Sequence, residues 1–284
     1  MKTQVIATLK AEFPLVVLLE VAGLARSTFF YHQARLDRPD PQAALKAAIT
    51  GVFTQAQGRY GYRRVHVMLR RAGWQVAAKT VLKLMNSLGL VCQIRRRRRY
   101  RAFAGRPGMA APNVLDRQFG TPAPNTAWVT DLTEFKITDR KVYLSPVIDL
   151  FDRSIVAYSH GLSPSLELAN SSLRKAVATL QPGQRPLVHS DQGFHYQHIS
   201  WQRILTDAGL TQSMSRRGNC LDNAIAENFF SHLKEELFHH TKFDSVEDFT
   251  TALDDYMGWF NTTRISTALG NLSPADYRAQ APTT

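Results

Sequence analysis

From residue 126 onward the chain alternates strand and helix signals in an order that leaves few ways to fold. Ala127–Lys136, Lys141–Leu150 and Ser154–Ser159 read as strands, with Asp139-Arg140 suited to the turn between the first two. Leu166–Leu180 reads as a helix stopped by Pro182-Gly183, and Pro186–His189 as a short strand. Ile199–Ala208 is a helix ended by Gly209, Leu210–Met214 a strand, and Asp222–Leu237 a helix. Five strands interleaved with helices in this order predict an α/β fold. Ser245–Asn261 reads as a further helix, and Ser273-Pro274 opens a short last one.

The N-terminal half is different in character. Pro14 can start a helix over Leu15–Val21, Gly23 breaks it, and Ser27 can cap the next helix, Thr28–Gln33, in a helix-turn-helix-like order. Ala44–Gln55, Tyr62–Arg71 and Ala77–Leu88 are each helix-length, with Gly73 and Gly89 marking ends. Val81, Leu82, Leu84, Met85 and Leu88 form an apolar stripe on the last of these. Lys79, Thr80 and Lys83 fall off that stripe, where a recognition helix meets the major groove or the phosphates.

Charge separates the two halves. Residues 1–124 hold 21 Lys+Arg against 5 Asp+Glu, or +16, and residues 125–284 hold 14 against 18, or −4. A basic half facing a polyanion, nucleic acid above all, and an acidic half able to hold cations follow from this split. Arg95, Arg96, Arg97, Arg98, Arg99 and Arg101, interleaved with Tyr100 and Phe103, suit an arm that tracks phosphates. The organisation expected is a helix-turn-helix-like segment over 1–38, a helical DNA-binding domain over 42–92 and a basic arm and linker over 93–124. A catalytic α/β core over 125–240 and a helical tail over 241–284 follow. Two cysteines in no CxxC pair argue against a disulfide framework or a thiolate zinc site. No apolar run approaches a membrane span, so a cytoplasmic protein with no membrane partner is expected.

Three acids stand in distinctive settings. Asp131 lies in the strand-like Trp128-Val129-Thr130-Asp131, and Asp191 follows the short strand in His189-Ser190-Asp191-Gln192-Gly193. Glu227 lies on the helical pattern 227 − 191 = 36 positions after Asp191, so 35 residues intervene. Lys234 follows Glu227 by seven positions, about 700° of α-helix, which returns it to nearly the same face roughly 10 Å along. Open α/β sheets place their sites at strand carboxyl ends. Carboxylates with scattered histidines favour Mg²⁺ or Mn²⁺, and a pair of such ions is what phosphoryl transfer uses. Asn223 could orient one carboxylate, and Asp222 is expected to cap the helix. Glu134 should face away from Asp131, while His189, His195, Trp128 and Trp259 suit packing better than chemistry. Tyr196 has a lesser chance of stacking on a displaced base.

These residues and their neighbours resemble a known family. Trp128–Asp131, His189–Gly193, Ser213–Asn219, Asp222-Asn223-Ala224, Glu227–Phe230 and Leu233-Lys234 resemble the integrase core of bacterial insertion-sequence transposases of the OrfB type. That class carries a DD(35)E triad and is related to retroviral integrases. The likeness continues in Tyr256, Phe260-Asn261, Arg264, Leu269-Gly270 and Ser273-Pro274, and in Arg26–Tyr31 and Gly58–Arg64. It departs at Arg264-Ile265-Ser266, where many members have Arg-x-His.

The resemblance implies a ribonuclease-H-like integrase core, a mixed five-stranded sheet with flanking helices, preceded by all-α helix-turn-helix segments, with Asp131, Asp191 and Glu227 as the metal-binding catalytic triad and Lys234 as its basic companion. It implies a DNA transposase that binds the terminal inverted repeats of its element, cleaves their 3′ ends and transfers them to double-stranded target DNA. Two Mg²⁺ or Mn²⁺ ions are expected once DNA is bound. It also implies a homo-oligomer in the synaptic complex, an upstream-frame OrfA-type partner and a nucleoid location in a bacterium. A nuclease on the same core and a non-catalytic DNA-binding regulator are the competing readings.

Overall fold

A computed structural model describes residues 2–36, 39–92, 111–216 and 220–281. Arg95, Arg96, Arg97, Arg98, Arg99 and Arg101 lie outside the described residues. Among those described, no single helix is long and apolar enough to cross a membrane.

Three short helices come first: α1 (Lys2–Leu9), α2 (Leu15–Ala22) and α3 (Arg26–Leu36). Ile6, Leu19 and Phe29 are their buried contacts. Gly23 closes α2 in the left-handed region (φ 59°), which a side chain disfavours. Ser27 is not the cap expected of it. The Phe29 amide bonds the Ala25 carbonyl, so α3 starts at Arg26 and Ser27 lies inside its first turn, where a capping geometry is closed to it. The helices α4 (Ala43–Gln55), α5 (Tyr62–Arg71) and α6 (Ala78–Ser87) pack Ile49, Val65, Leu69, Val81, Leu84 and Met85 into a second core.

The sheet contains β1 (Ala127–Thr130), β2 (Thr133–Ile137), β3 (Arg140–Asp149), β4 (Ile155–Gly161), β5 (Leu187–Ser190) and β6 (Thr211–Met214). β1 and β2 lie in tandem along one side of the long β3, and β4 pairs with its other side, all antiparallel. β5 pairs parallel with β1, and β6 parallel with β5. The expected single strand Ala127–Lys136 is thus two. The pairing Thr130↔Val147 resumes as Thr133↔Leu144, so the break falls opposite Ser145-Pro146. Proline has no N–H to donate to the ladder, and the sheet has six strands rather than five.

Alternation assigns the two sheet faces. Ala127 and Val129 face a core shared with α10 (Ala224–Leu233) and α11 (Val246–Thr262), whereas Trp128 faces α7 (Leu166–Val177) and α9 (Ile199–Asp207), which follows α8 (Phe194–Gln197). Ala226, Phe229, Phe230 and Leu233 recur at helical spacing and bind α10 to the first face. Ser245 caps α11 by accepting from the Asp248 amide (3.0 Å). Ser273 with Pro274 starts α12 (Pro274–Arg278), whose Arg278 bonds the buried Asp149 (2.6 Å) and Asp152.

Candidate active site

Backbone register brings the first two acids together. Ala127, Trp128 and Val129 pair with Leu187, Val188 and His189, a constant offset of 60. Carried two residues further, that offset sets Asp131 level with Asp191, just beyond the carboxyl ends of adjacent parallel strands. By alternation both share the face of Val129, which α10 covers. Asp131 is therefore not mid-strand, as expected, but in the break between β1 and β2. Its Oδ1 accepts from the Leu132 amide (2.7 Å), which the interrupted ladder leaves available. Asp191 Oδ1 accepts from the Gly193 amide (2.9 Å). A Cβ at Gly193 would stand 2.9 Å from that same oxygen, so any side chain there displaces the carboxylate. The signal for this role of Gly193 in the sequence is its position two after an acid, in an Asx-type turn.

Glu227, in the first turn of α10, lies near enough for its charge to act on Asp131. Burial pushes the Asp131 carboxyl well above the usual carboxylate range, and the negative charges of Asp191 and Glu227 add to it. The Leu132 amide and the Lys234 ammonium act the other way. Asp191 is likewise raised by burial, against the Gly193 amide and His195. Lys234 is half-buried, 5.5 Å from the Phe135 ring centroid. Burial lowers its pKa, offset by Glu134 and Asp131.

Other expectations fared unevenly. Asp222 does not cap α10. Its buried carboxylate accepts from Arg216 Nε (3.0 Å), Nη2 (3.1 Å) and amide (2.9 Å), from Arg117 Nε (2.8 Å) and from Asn113 Nδ2 (3.0 Å). These bonds, Arg216's first, hold it below the usual carboxylate range and leave no oxygen for the helix end, which starts instead from a 3₁₀ turn, Cys220–Asn223. Among the described residues, the bond of the Asn223 side chain runs from Nδ2 to the Thr130 carbonyl (3.4 Å) rather than to a carboxylate. Tyr196 is fully buried edge-on against Trp201, so it cannot stack on a base.

The histidines and tryptophans are placed by packing. His189 is buried between Ser213 Oγ (2.8 Å) and Ser215 Oγ (3.1 Å), and burial pushes its pKa down to about 4, so it is neutral at pH 7. His195 Nε2 lies 2.7 Å from the Pro164 carbonyl. Trp128 is core, and Trp259 packs between the α4–α6 core and the α10–α11 core. Glu134 is exposed beside Lys141 (3.0 Å), on the face opposite buried Phe135. On α6, Lys79 and Lys83 are exposed and Thr80 half-buried.

The donor set at Asp131, Asp191 and Glu227 is all carboxylate oxygen with a surplus of negative charge, which fits Mg²⁺ or Mn²⁺ rather than zinc. Among the described residues no three acidic, histidine or cysteine side chains stand close enough to grip one ion in this conformation. Asp131 and Asp191 each commit one oxygen to a backbone amide. Clustered like charges are a cost of such a site. Asp131 binds its proton more tightly folded than unfolded, so its charged form destabilises the fold above the usual carboxylate pKa. Asp131→Asn is therefore expected to raise stability in metal-free buffer near pH 7 by about 0.5–2 kcal/mol. A thermal melt checks this, and a lowered midpoint would refute it.

Known proteins resemble this chain in sequence and fold. A family model described as an integrase core domain matches residues 121–220, and a second integrase core domain model matches 227–281. An HTH-like domain model matches residues 40–98. The chain is 43% identical to InsK of insertion sequence element IS150 in Escherichia coli K12, over 98% of both chains. It is 45% identical to the transposase of IS1353 from Shigella flexneri, over 98% of this chain but 54% of that one. With the IS904 transposase of Lactococcus lactis it shares 33% identity over 82% of this chain and 92% of the relative. A chain of the simian T-cell lymphotropic virus intasome, solved with the PP2A regulatory subunit B56 gamma, has the same fold at TM-score 0.50 and 18% identity, covering 84% of this chain and 76% of that one. With 43% identity to InsK over 98% of both chains, and integrase-core matches that together contain Asp131, Asp191 and Glu227, the chain belongs to the insertion-sequence transposases built on an integrase core.

Proposed function

We propose that this protein binds the terminal inverted repeats of its element, cleaves their 3′ ends and transfers them to target DNA. What supports this reading is that Asp131 and Asp191 follow adjacent parallel strands at one level, and that the charges of Glu227 and Lys234 act on Asp131. Asp131, Asp191 and Glu227 would hold divalent cations, Mg²⁺ or Mn²⁺. When bound, such ions activate an attacking oxygen and stabilise a leaving one. The protein then has little covalent chemistry to perform. Lys234 would neutralise a phosphate next to the carboxylates. The half-buried setting of the group keeps bulk water from screening these charges. Positioning the scissile phosphodiester does the rest.

The helical unit α4–α6 supplies DNA contact through Lys79, Thr80 and Lys83 on the solvent side of α6, and the arginines at 95–99 and 101 add phosphate neutralisation. Joining two ends implies a homo-oligomer in the synaptic complex, and an upstream-frame OrfA-type product is a further candidate partner. Lys79→Ala and Lys83→Ala should each lower the log–log salt slope of end binding by about 0.9. Titrations at several salt concentrations measure it, and unchanged slopes would remove α6 from the interface.

The deciding assay combines the protein, labelled element-end duplex, a target plasmid and Mg²⁺. Joined products are expected. Cleavage without joining would favour a nuclease on this core, and binding with no cleavage would favour a regulator.

A further inference from the structure

Two residues past Lys234 lies a carboxylate to which the candidate site has no direct use. Glu236 is 7% exposed and sits in a π-helical segment, Lys234–Phe238, that follows α10 without a break. The widened turn ends the α-helical register at Lys234 and turns Glu236 and Leu237 inward. Arg264 grips the carboxylate with two bonds, Nε to Oε2 (2.8 Å) and Nη2 to Oε1 (2.7 Å). The Tyr256 hydroxyl donates to Oε2 (2.9 Å). Arg264 is itself 3% exposed, so the pair is sealed from water.

His232 Nδ1 stands 3.7 Å from Oε1, and further contacts come from the helical unit far away in sequence. Arg64, on α5, reaches Oε1 (3.5 Å), and Arg59 Nε donates to the Glu236 carbonyl (3.0 Å). The Arg59 guanidinium lies 4.6 Å over the Trp259 ring and 5.5 Å over Tyr256. Between them Tyr60 donates to the Thr263 carbonyl (3.2 Å) and accepts from the Ile265 amide (3.2 Å). Ile265 is part of the α4–α6 core. The Gly58–Arg64 stretch is thus a key inserted between α11 and the segment that carries Lys234.

We propose that Glu236 is a positioning residue: with Arg59, Tyr60 and Arg64 it fixes the offset between the DNA-contacting helix α6 and the carboxylates served by α10, so that DNA held by the one presents a single phosphodiester to the other. This rests on the reading of the chain as an end-cleaving transposase. A buried ion pair adds little net stability, and in some systems it instead specifies a single arrangement of the elements it joins. Glu236 and Lys234 share one π-helical segment two residues apart, so a shift of the helical unit is a shift of the DNA relative to the site.

Arg59→Ala is the primary test, because it removes the carbonyl bond and the ring contacts but leaves the Glu236–Arg264 pair intact; Glu236→Gln is the second. Three readouts are compared with wild type. Amide hydrogen exchange of residues 234–238 is expected to rise at least tenfold in Arg59→Ala, with the core melting transition unchanged. Hydroxyl-radical footprints on end DNA should keep the protection due to α6 and lose the part toward the cut. Cleavage, one position in wild type, should spread over neighbouring nucleotides. A yield that falls with the cut held at one position would overturn the proposal, since a merely structural role predicts that. So would unchanged exchange and an unchanged footprint, which decide the matter even if the wild-type protein fails to cleave and the transposase reading falls.

Discussion

Glu227→Gln should abolish end cleavage and joining while leaving DNA binding and the fold in place. Glutamine matches glutamate in shape and helix preference, so α10 keeps its packing through Ala226, Phe229, Phe230 and Leu233. What is lost is one of three carboxylates whose charges converge at Asp131. Metal-assisted phosphoryl transfer draws several kcal/mol from charge stabilisation of this kind, and each 1.36 kcal/mol is tenfold in rate. The expected fall is therefore about a thousandfold or more. The measurement pairs the joining assay with gel-shift titration and a thermal melt on the same preparation. Retained joining would remove Glu227 from the chemistry, and lost binding would assign it to DNA contact instead.

Arg264→Ala is expected to cause the largest loss of stability of any single substitution considered. It leaves the buried Glu236 carboxylate with Tyr256 and the distant Arg64 as its remaining side-chain hydrogen-bond donors. Breaking one partner out of a buried ion pair costs about 3–5 kcal/mol. The loss should depend on pH. Burial opposes the charged form of Glu236, but the hydrogen bonds and charge of Arg264, with His232 and Arg64, hold its carboxyl below its ordinary value. A carboxyl depressed on folding stabilises the fold above its unfolded pKa, about 4.3, and that contribution vanishes as pH falls through the folded value. The difference between wild type and Arg264→Ala should be widest near neutrality and shrink below roughly pH 4. Chemical denaturation at stepped pH tests this. A gap that stays constant into acid would mean that packing, not charge, makes Arg264 necessary.

Local signals carried far in this chain where one element answers to its own residues. The apolar stripe of α6 marks the helix and, through Val81, Leu84 and Met85, its buried face, while Leu82 and Leu88 of the same stripe are exposed. Gly23, Gly73 and Gly89 mark helix ends because positive φ is cheap only for glycine. The seven-residue step from Glu227 to Lys234 is readable because that stretch stays α-helical as far as Leu233. Signals failed where a distant partner intervened. Asp222 looks like a cap, yet two guanidiniums claim it first. The strand through Asp131 looks continuous, yet Pro146 on its neighbour interrupts the ladder. Glu236 looks like a surface acid after Glu235, and only the π turn and Arg264 explain its burial.

By itself, then, the sequence determined the order of strands and helices, the division between a basic and an acidic half, and the identity of the acids worth watching. Each of these depends on side chains near one another along the chain, through period, turn chemistry and summed charge. The tertiary structure alone decided that Asp131 stands level with Asp191, because a parallel register between β1 and β5 is set across 60 residues by packing on both sheet faces. It alone decided that Gly58–Arg64 docks beside Glu236. Hydrogen bonds between groups some 170–205 residues apart leave no periodicity in the chain to read.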